Sequence, residues 1–287
     1  MRSRAVFADL WELTKPGITG LVLITTVVGF YLGCAGSVDL RLLFHALLGT
    51  GLLAAGTNAL NQYAERDADA QMKRTKRRPL PAGRLRPSTA LIFSTGISVV
   101  GTVHLALVVN PLTAALGAAA LVMYIFAYTP LKQRTAWCTV VGAVPGAIPP
   151  MMGWTAVTGE LGPHAWVLFG IIFLWQMPHF YAIAWLYRLD YARAGFLMLP
   201  VIDEEGRRTA RQIVLYTLAL VAVSVSTTVL DLTGALYLVG ALTLGVGFFA
   251  LGLQLALSRT GAHARRLFLG SIVYLPALLV LMVMDKV

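Results

Sequence analysis

The sequence predicts an all-α fold: a polytopic membrane bundle of nine transmembrane helices, N-terminus cytoplasmic and C-terminus outside, as one integral-membrane domain over residues 1–287. Three observations predict it. Of 287 residues, 57% are hydrophobic and only 13% charged, about half the charged share of a soluble domain. Mean hydropathy is +0.74, so a water-soluble fold of this size could not hide its apolar surface, and disorder is excluded by the same numbers. The apolar residues also fall in long unbroken runs, unlike the alternating ~10-residue segments of a transmembrane barrel. Finally, the positive charges sort cleanly by side.

A spanning helix needs ~20 mostly apolar residues. Nine segments meet that need: Gly17–Ala35, Leu42–Tyr63, Ser88–Val109, Leu112–Tyr128, Trp137–Ala156, His164–Trp185, Ile213–Leu230, Ala235–Leu257 and Leu267–Met284. The third and fourth are divided only by the Asn110-Pro111 turn. With the N-terminus inside, 21 of the 23 Lys+Arg fall in cytoplasmic segments, leaving Arg41 and Lys286 outside. Moving or dropping one span would scramble that partition. The net charge of +10 is therefore topological, and nucleic acid is not an expected partner. No cleavable signal or transit peptide stands out in Met1–Thr14, which favours a bacterial inner (cytoplasmic) membrane. Cys34 and Cys138 lie in or beside apolar runs without metal spacing and are expected to pack.

The loops after the second and sixth spans are long and rich in both charge signs, which places the chemistry on the cytoplasmic side. At the end of the second span Asn61, Glu65 and Asp69 stand at i, i+4 and i+8. Each step of four residues drifts only 40° around a helix, so the three line one stripe, whereas Asp67 points elsewhere. Oxygen-bearing side chains in a row at a membrane boundary suit Mg²⁺, which completes its shell with water and substrate phosphates. A polyprenyl diphosphate supplies such phosphates on a lipid tail. The bland alternative is a polar helix end meeting water, but stacked acids near a helix C-terminus oppose the macrodipole.

The stripe runs into a basic segment, with Lys73, Arg74 and Arg78, and the loop after the fourth span adds Lys132 and Arg134. These cations serve equally as a positive-inside anchor and as diphosphate ligands.

Asn61-x3-Glu65-x3-Asp69 followed by Lys73-Arg74-Thr75-x2-Arg78-Pro79-Leu80-Pro81-x-Gly83 resembles the first signature of the UbiA-type intramembrane prenyltransferases. Tyr128-Thr129-Pro130-Leu131-Lys132, Gly146-x2-Pro149-Pro150-Met151-Met152-Gly153-Trp154 and Trp175-Gln176-x-Pro178-His179-Phe180 resemble, within that family, the branch that farnesylates haem. The likeness spans nearly the whole chain. It implies that farnesyl diphosphate and haem B are substrates, that haem O is the product, and that haem A synthase or terminal oxidase assembly lies downstream. Where many such enzymes carry a second Asp-x3-Asp, this chain offers Asp190 alone, with Leu186 and Ala194 four residues either side. That departure resembles the haem branch and argues against a symmetric two-metal site and a quinone-precursor acceptor.

The resemblance and the residues together give Asn61, Glu65, Asp69 and Asp190 as catalytic, the first three holding metal. Lys73, Arg74, Arg78, Lys132 and Arg134 bind diphosphate. His179, an ionisable residue at membrane depth after Pro178, is the haem-contact candidate. His45 and His104 are expected to be structural, and His164 and His263 solvated. Pro145, Pro149 and Pro150 predict a broken or strongly kinked fifth span. The rival classes are a prenyltransferase acting on an aromatic or quinone precursor, and a transporter or haem exporter. Polar groups at the boundary rather than the midplane oppose transport.

Overall fold

The computed structural model describes the backbone of residues 2–287, with side chains from Val6 onward. A helix α1 (Arg2–Leu13) precedes the first span. The spanning helices are α2 (Pro16–Gly33) and α3 (Leu40–Ala64), the latter followed by the short α4 (Arg66–Gln71). Next come α5 (Pro87–His104), extended by a π-turn over Leu105–Val109, and α6 (Pro111–Val122), extended by a π-turn over Met123–Tyr128 and the short α7 (Thr129–Leu131). The sequence continues through α8 (Cys138–Thr158), α9 (Pro163–Leu186), the loop helices α10 (Arg188–Arg193) and α11 (Leu199–Ile202), then α12 (Arg207–Val229), α13 (Ala235–Ser258) and α14 (Gly261–Met284). Among the described residues, nine helices are long and apolar enough to cross a membrane, matching the nine expected spans.

Differences from expectation lie at ends and loops. The seventh and ninth spans start six residues earlier than predicted, at Arg207 and Gly261, because helices continue past the apolar run into charged turns. The loop helices α4, α10 and α11 and the amphipathic α1 are too short or too mixed to stand out. In α1, Phe7 and Trp11 are exposed while Asp9 and Leu13 are buried. Arg84 clamps this helix to the loop after α4 through Asp9 (3.0 Å) and Glu12 (2.6 Å).

Of the break or strong kink expected in the proline-rich helix α8, the break does not occur: the helix is continuous. All three prolines sit inside it. It is buried along most of its length and packs on α2, α9 and α6, so neighbouring helices hold what the prolines would otherwise open. The α2–α8 contact is backbone to backbone. A Cβ on Gly29 would lie 2.0 Å from the Pro150 carbonyl oxygen, and one on Gly153 2.0 Å from that of Thr26. Only glycine permits this approach, the small-residue packing that membranes favour.

Both cysteines are buried and free, as expected. His45 and His104 do not stand alone: their ring nitrogens lie 3.3 Å apart and tie α3 to α5. His164 is not merely solvated, since it bonds the Leu230 carbonyl (3.0 Å) and stacks on Trp154. Thr260 caps the start of α14 by accepting from the His263 N–H, and the His263 ring bonds the Ser258 and Thr260 hydroxyls.

Candidate active site

The acidic stripe forms although α3 formally ends at Ala64. Glu65 leaves regular helical geometry, yet its N–H still reaches the Asn61 carbonyl (2.9 Å) and the Asp69 N–H reaches that of Glu65 (2.8 Å). The i to i+4 ladder therefore runs through the break, and the one-sided alignment survives. Asn61, Glu65 and Asp69 are all buried. Asp67 points away into solvent.

Each stripe residue meets one cation. Lys15 Nζ donates to Asn61 Oδ1 (2.9 Å), Lys132 Nζ to Glu65 Oε1 (2.5 Å) and Arg78 Nη1 to Asp69 Oδ2 (2.7 Å). Burial is the largest influence on Lys132 and disfavours its charge, but the charge and hydrogen bond of Glu65 together with Tyr124 and Tyr191 leave its pKa raised. Lys15 is the reverse case. Burial first, then the Arg78 charge, bring it down to about 7 despite Glu65.

Lys15 was not an expected site residue. It occupies a left-handed backbone conformation (φ 48°) unusual for a residue with a side chain. The cause is visible on both sides. Gln62 donates to the Leu13 carbonyl (3.0 Å) and Asn58 to Thr19 (3.2 Å), pinning the α1–α2 junction onto α3. Pro16 then opens α2 and disfavours right-handed helix at the residue before it. The Lys15-Pro16 dipeptide is the one local signal that could have marked the position. Thr129, also missed, accepts from Asn61 Nδ2 (3.2 Å).

The other predicted cations divide. Arg74 is exposed but bridges loops, donating to the Tyr191 hydroxyl (3.4 Å) and stacking over Tyr187 and Tyr191. Lys73 and Arg134 are exposed, and their side chains make no hydrogen bond or ion pair among the described residues. Asp190 pairs with Arg193 (3.0 Å) and touches none of the stripe residues. Its loop is nonetheless fastened to the site, because the Leu197 N–H donates to the Lys132 carbonyl (2.7 Å).

Beneath the stripe lies a cavity of about 350 Å³ between α2, α3, α6, α8, α9 and α14. Asn58, Tyr124 and Tyr128 line it at the charged end, and Trp175, Gln176 and His179 on one wall. Lys132 Nζ sits 4.4 Å from the Tyr128 ring centroid, so the ionic cluster and the apolar space adjoin. Gly142 makes room for Tyr128, whose ring a Cβ there would meet at 2.5 Å. His179 faces the cavity, and its Nδ1 is held by Ser271 Oγ (2.6 Å) with its ring stacked on Trp175. It is therefore at once part of a cavity wall and an interhelical tie.

The donor set suits a hard cation. Asn61, Glu65 and Asp69 offer oxygen only, and Asp69 Oδ1 is buried with no partner. Among the described residues no cluster of three or more His, Cys, Asp or Glu forms a ready metal cage. A metal here would take part of its shell from water and substrate phosphate, as Mg²⁺ does.

A charged cradle over an apolar cavity fits a molecule with an anionic head and a lipid tail, and the comparisons agree. Residues 22–275 match the model of the UbiA prenyltransferase family. The chain belongs to the UbiA prenyltransferase family. Among curated UbiA-family relatives, a protoheme IX farnesyltransferase of Solibacter usitatus is 50% identical, covering 97% of this chain and 98% of that one. Another of that name, from Myxococcus xanthus, is 44% identical over 98% and 96%. The fold matches a solved digeranylgeranylglyceryl phosphate synthase (TM-score 0.82, 15% identity, 97% and 98% covered). It also matches a UbiA homologue from Archaeoglobus fulgidus bound to GPP and Mg²⁺ (TM-score 0.69, 13% identity, 96% and 99% covered).

Proposed function

We propose that this multi-pass membrane prenyltransferase moves the farnesyl group of farnesyl diphosphate onto a vinyl group of haem B, with addition of water, to give haem O. The observation that carries this reading is the 50% identity, over nearly all of both chains, to a protein named protoheme IX farnesyltransferase. The ionic stripe directly above an apolar cavity supplies the matching chemistry.

Asn61, Glu65 and Asp69 would hold Mg²⁺ through side-chain oxygens. Bound there, the metal neutralises charge on the leaving diphosphate. Lys132, Arg78 and Lys15 donate hydrogen bonds to the same oxygens as negative charge develops on them. Lys73, Arg74 and Arg134 at the mouth draw the anion in. The C1–O bond breaks with its electron pair leaving on diphosphate, and Tyr124 and Tyr128 present ring faces to the cationic tail. The vinyl π pair forms the new bond to C1. Water captures the cation left beside the porphyrin and loses its proton, giving the hydroxyethyl link. The apolar walls keep water from C1 until the vinyl is placed. Asp190, paired with Arg193 at the second loop, guides the diphosphate, and haem A synthase or terminal oxidase assembly receives the product.

Purified protein given farnesyl diphosphate and Mg²⁺ should convert haem B to a species heavier by one farnesyl group and one hydroxyl, read by mass. It should leave an aromatic-acid acceptor unchanged. Conversion of the aromatic acid instead would transfer the reading to a quinone precursor.

The charge partition sets the expected orientation in a bacterial inner membrane. A reporter fused after Lys286 should read periplasmic and one placed between Lys73 and Arg84 cytoplasmic. Both on one side would contradict an odd number of crossings between them.

His179 separates haem contact from bracing. Losing an interhelical hydrogen bond costs ~0.6 kcal/mol and rarely above about 1.7, at most ~20-fold in rate. If His179 only braces, Ser271→Ala and His179→Ala should lower melting and turnover alike. If it contacts haem, His179→Ala should weaken haem retention far more than Ser271→Ala does, with farnesyl diphosphate binding intact.

A further inference from the structure

Two hydrogen-bond acceptors share one face of α9 on the wall of the apolar cavity, and the protein fixes both. Gln176 Nε2 lies 3.2 Å from the carbonyl oxygens of Ala143 and Ile172. Carbonyls only accept, so the amide nitrogen is the atom that meets them and Oε1 is turned away from both. A Cβ at Gly146 would lie 2.1 Å from Oε1, so the glycine keeps that place open. The second acceptor is on His179. Ser271 Oγ lies 2.6 Å from the Phe268 carbonyl oxygen and 2.6 Å from His179 Nδ1. The carbonyl takes the hydroxyl proton, so Nδ1 must carry the proton that Ser271 accepts. In the neutral ring Nε2 is then a bare lone pair. Trp175 stacks on the ring with centroids 5.0 Å apart, and its Nε1 donates to the Ser271 carbonyl (2.9 Å). Ser271 thus sets both the tautomer and the plane of the imidazole.

Residues three apart on a helix are neighbours, with Cβ atoms ~5–6 Å apart. Two acceptors at that spacing suit a small molecule that donates twice, which is water. Held there, it points both protons at the protein and its lone pairs away. Tyr128 packs at Gly142 and Gln176 at Gly146, so the pair begins ~6 Å along α8 from the ring at the charged end. We propose that Gln176 and His179 hold the water that completes the reaction, and that His179 Nε2 takes its proton. The assignment deepens the haem farnesylation reading and rests on it. Bonding of the vinyl group to C1 leaves a cation on the vinyl carbon next to the porphyrin. A lone pair of the held water forms the C–O bond there. The O–H bond facing His179 breaks, and its proton passes to Nε2 and leaves with the diphosphate. Without that water the cation sheds a proton from the neighbouring CH₂ to diphosphate instead, giving an alkene lighter than the hydroxylated product by one water. Ser271 is a positioning residue, acting through His179.

The test is the ratio of alkene to hydroxylated product, read by mass from the detergent-solubilised full chain given haem B, farnesyl diphosphate and Mg²⁺. A positioned base contributes ~10²-fold or more. His179→Phe keeps an aromatic ring beside Trp175 and removes the lone pair, so it should raise the ratio ~100-fold. Diphosphate release, which needs neither acceptor, should fall far less. Gly146→Ala pushes Oε1 aside without deleting a polar group and should move the ratio the same way. Ser271→Ala, which leaves the tautomer unset, should move it less. A purely structural role for these side chains would lower both products together and leave the ratio alone. An unchanged ratio in folded His179→Phe would overturn the assignment, and a shifted haem absorption band beside that unchanged ratio would make Nε2 an iron ligand instead. If His179→Phe does not fold or yields no product, Gly146→Ala decides: an unchanged ratio there, or loss of both products together, overturns it equally. Hydroxylated product from the parent with no shift in the variants sinks the water site alone, whereas a parent that never farnesylates haem removes the underlying reading.

Discussion

Glu65→Gln and Asp69→Asn should each lower farnesyl transfer at least ~10³-fold, a loss of about 4 kcal/mol in transition-state stabilisation, while the protein stays folded and inserted. Both substitutions keep shape and remove one charge. The structure adds a complication, because each acid also holds a buried cation. Breaking such a pair costs up to ~3–5 kcal/mol when one charge is left alone, although the amide oxygen still accepts from the lysine or arginine and softens the loss. Stability and catalysis can be pulled apart. Glu65→Gln with Lys132→Met removes both charges, and should recover most of any melting loss without recovering turnover. Asp67→Asn, on the exposed face, should change activity little. Full activity in both Glu65→Gln and Asp69→Asn would remove the stripe from the chemistry.

Ala54→Phe should cost about 100-fold in farnesyl transfer by filling the cavity rather than by touching the charged end. Ala54 lines the cavity on α3, seven residues before Asn61 and so ~10 Å further along the helix axis. A phenyl ring there shortens the space beneath the diphosphate cradle and leaves the cradle itself intact. Inorganic pyrophosphate should bind as in the parent protein. Geranyl diphosphate should lose less than farnesyl diphosphate, so the ratio of the two rates moves toward the shorter chain. Competition assays against both prenyl lengths, with melting temperature as a fold control, give the result. An equal loss for both lengths would mean that the tail lies elsewhere.

What could be read from the residues follows the range of the interactions involved. Nine spans and the charge partition rest on local composition, and nine helices long and apolar enough to span are found among the described residues. The Asn61, Glu65, Asp69 alignment rests on helical periodicity, and it holds even where α3 breaks at Glu65. Lys15 meets Asn61 across 46 positions and His45 meets His104 across 59; no local period encodes such contacts. That α8 stays unbroken was not legible in the sequence for a related reason. Three prolines signal a break in an isolated helix, and the dense burial that overrides them comes from α2 and α9. Asp190, expected to be catalytic, pairs with Arg193 three residues on, a contact that helical spacing alone makes possible.

A farnesyl diphosphate analogue carrying a diazirine at the far end of its tail, photolysed in the membrane-embedded protein with Mg²⁺ and mapped by peptide mass, tests the site most directly. Labels should fall on the cavity walls below the stripe, in α3, α6, α8 and α9 near Thr50, Gly117, Met152 and Ile172. They should vanish with excess farnesyl diphosphate or in Glu65→Gln. Competable labelling confined to the outward faces of the bundle, such as Val99–Val108 on α5 and its π-turn, would contradict a prenyl tail seated in that cavity.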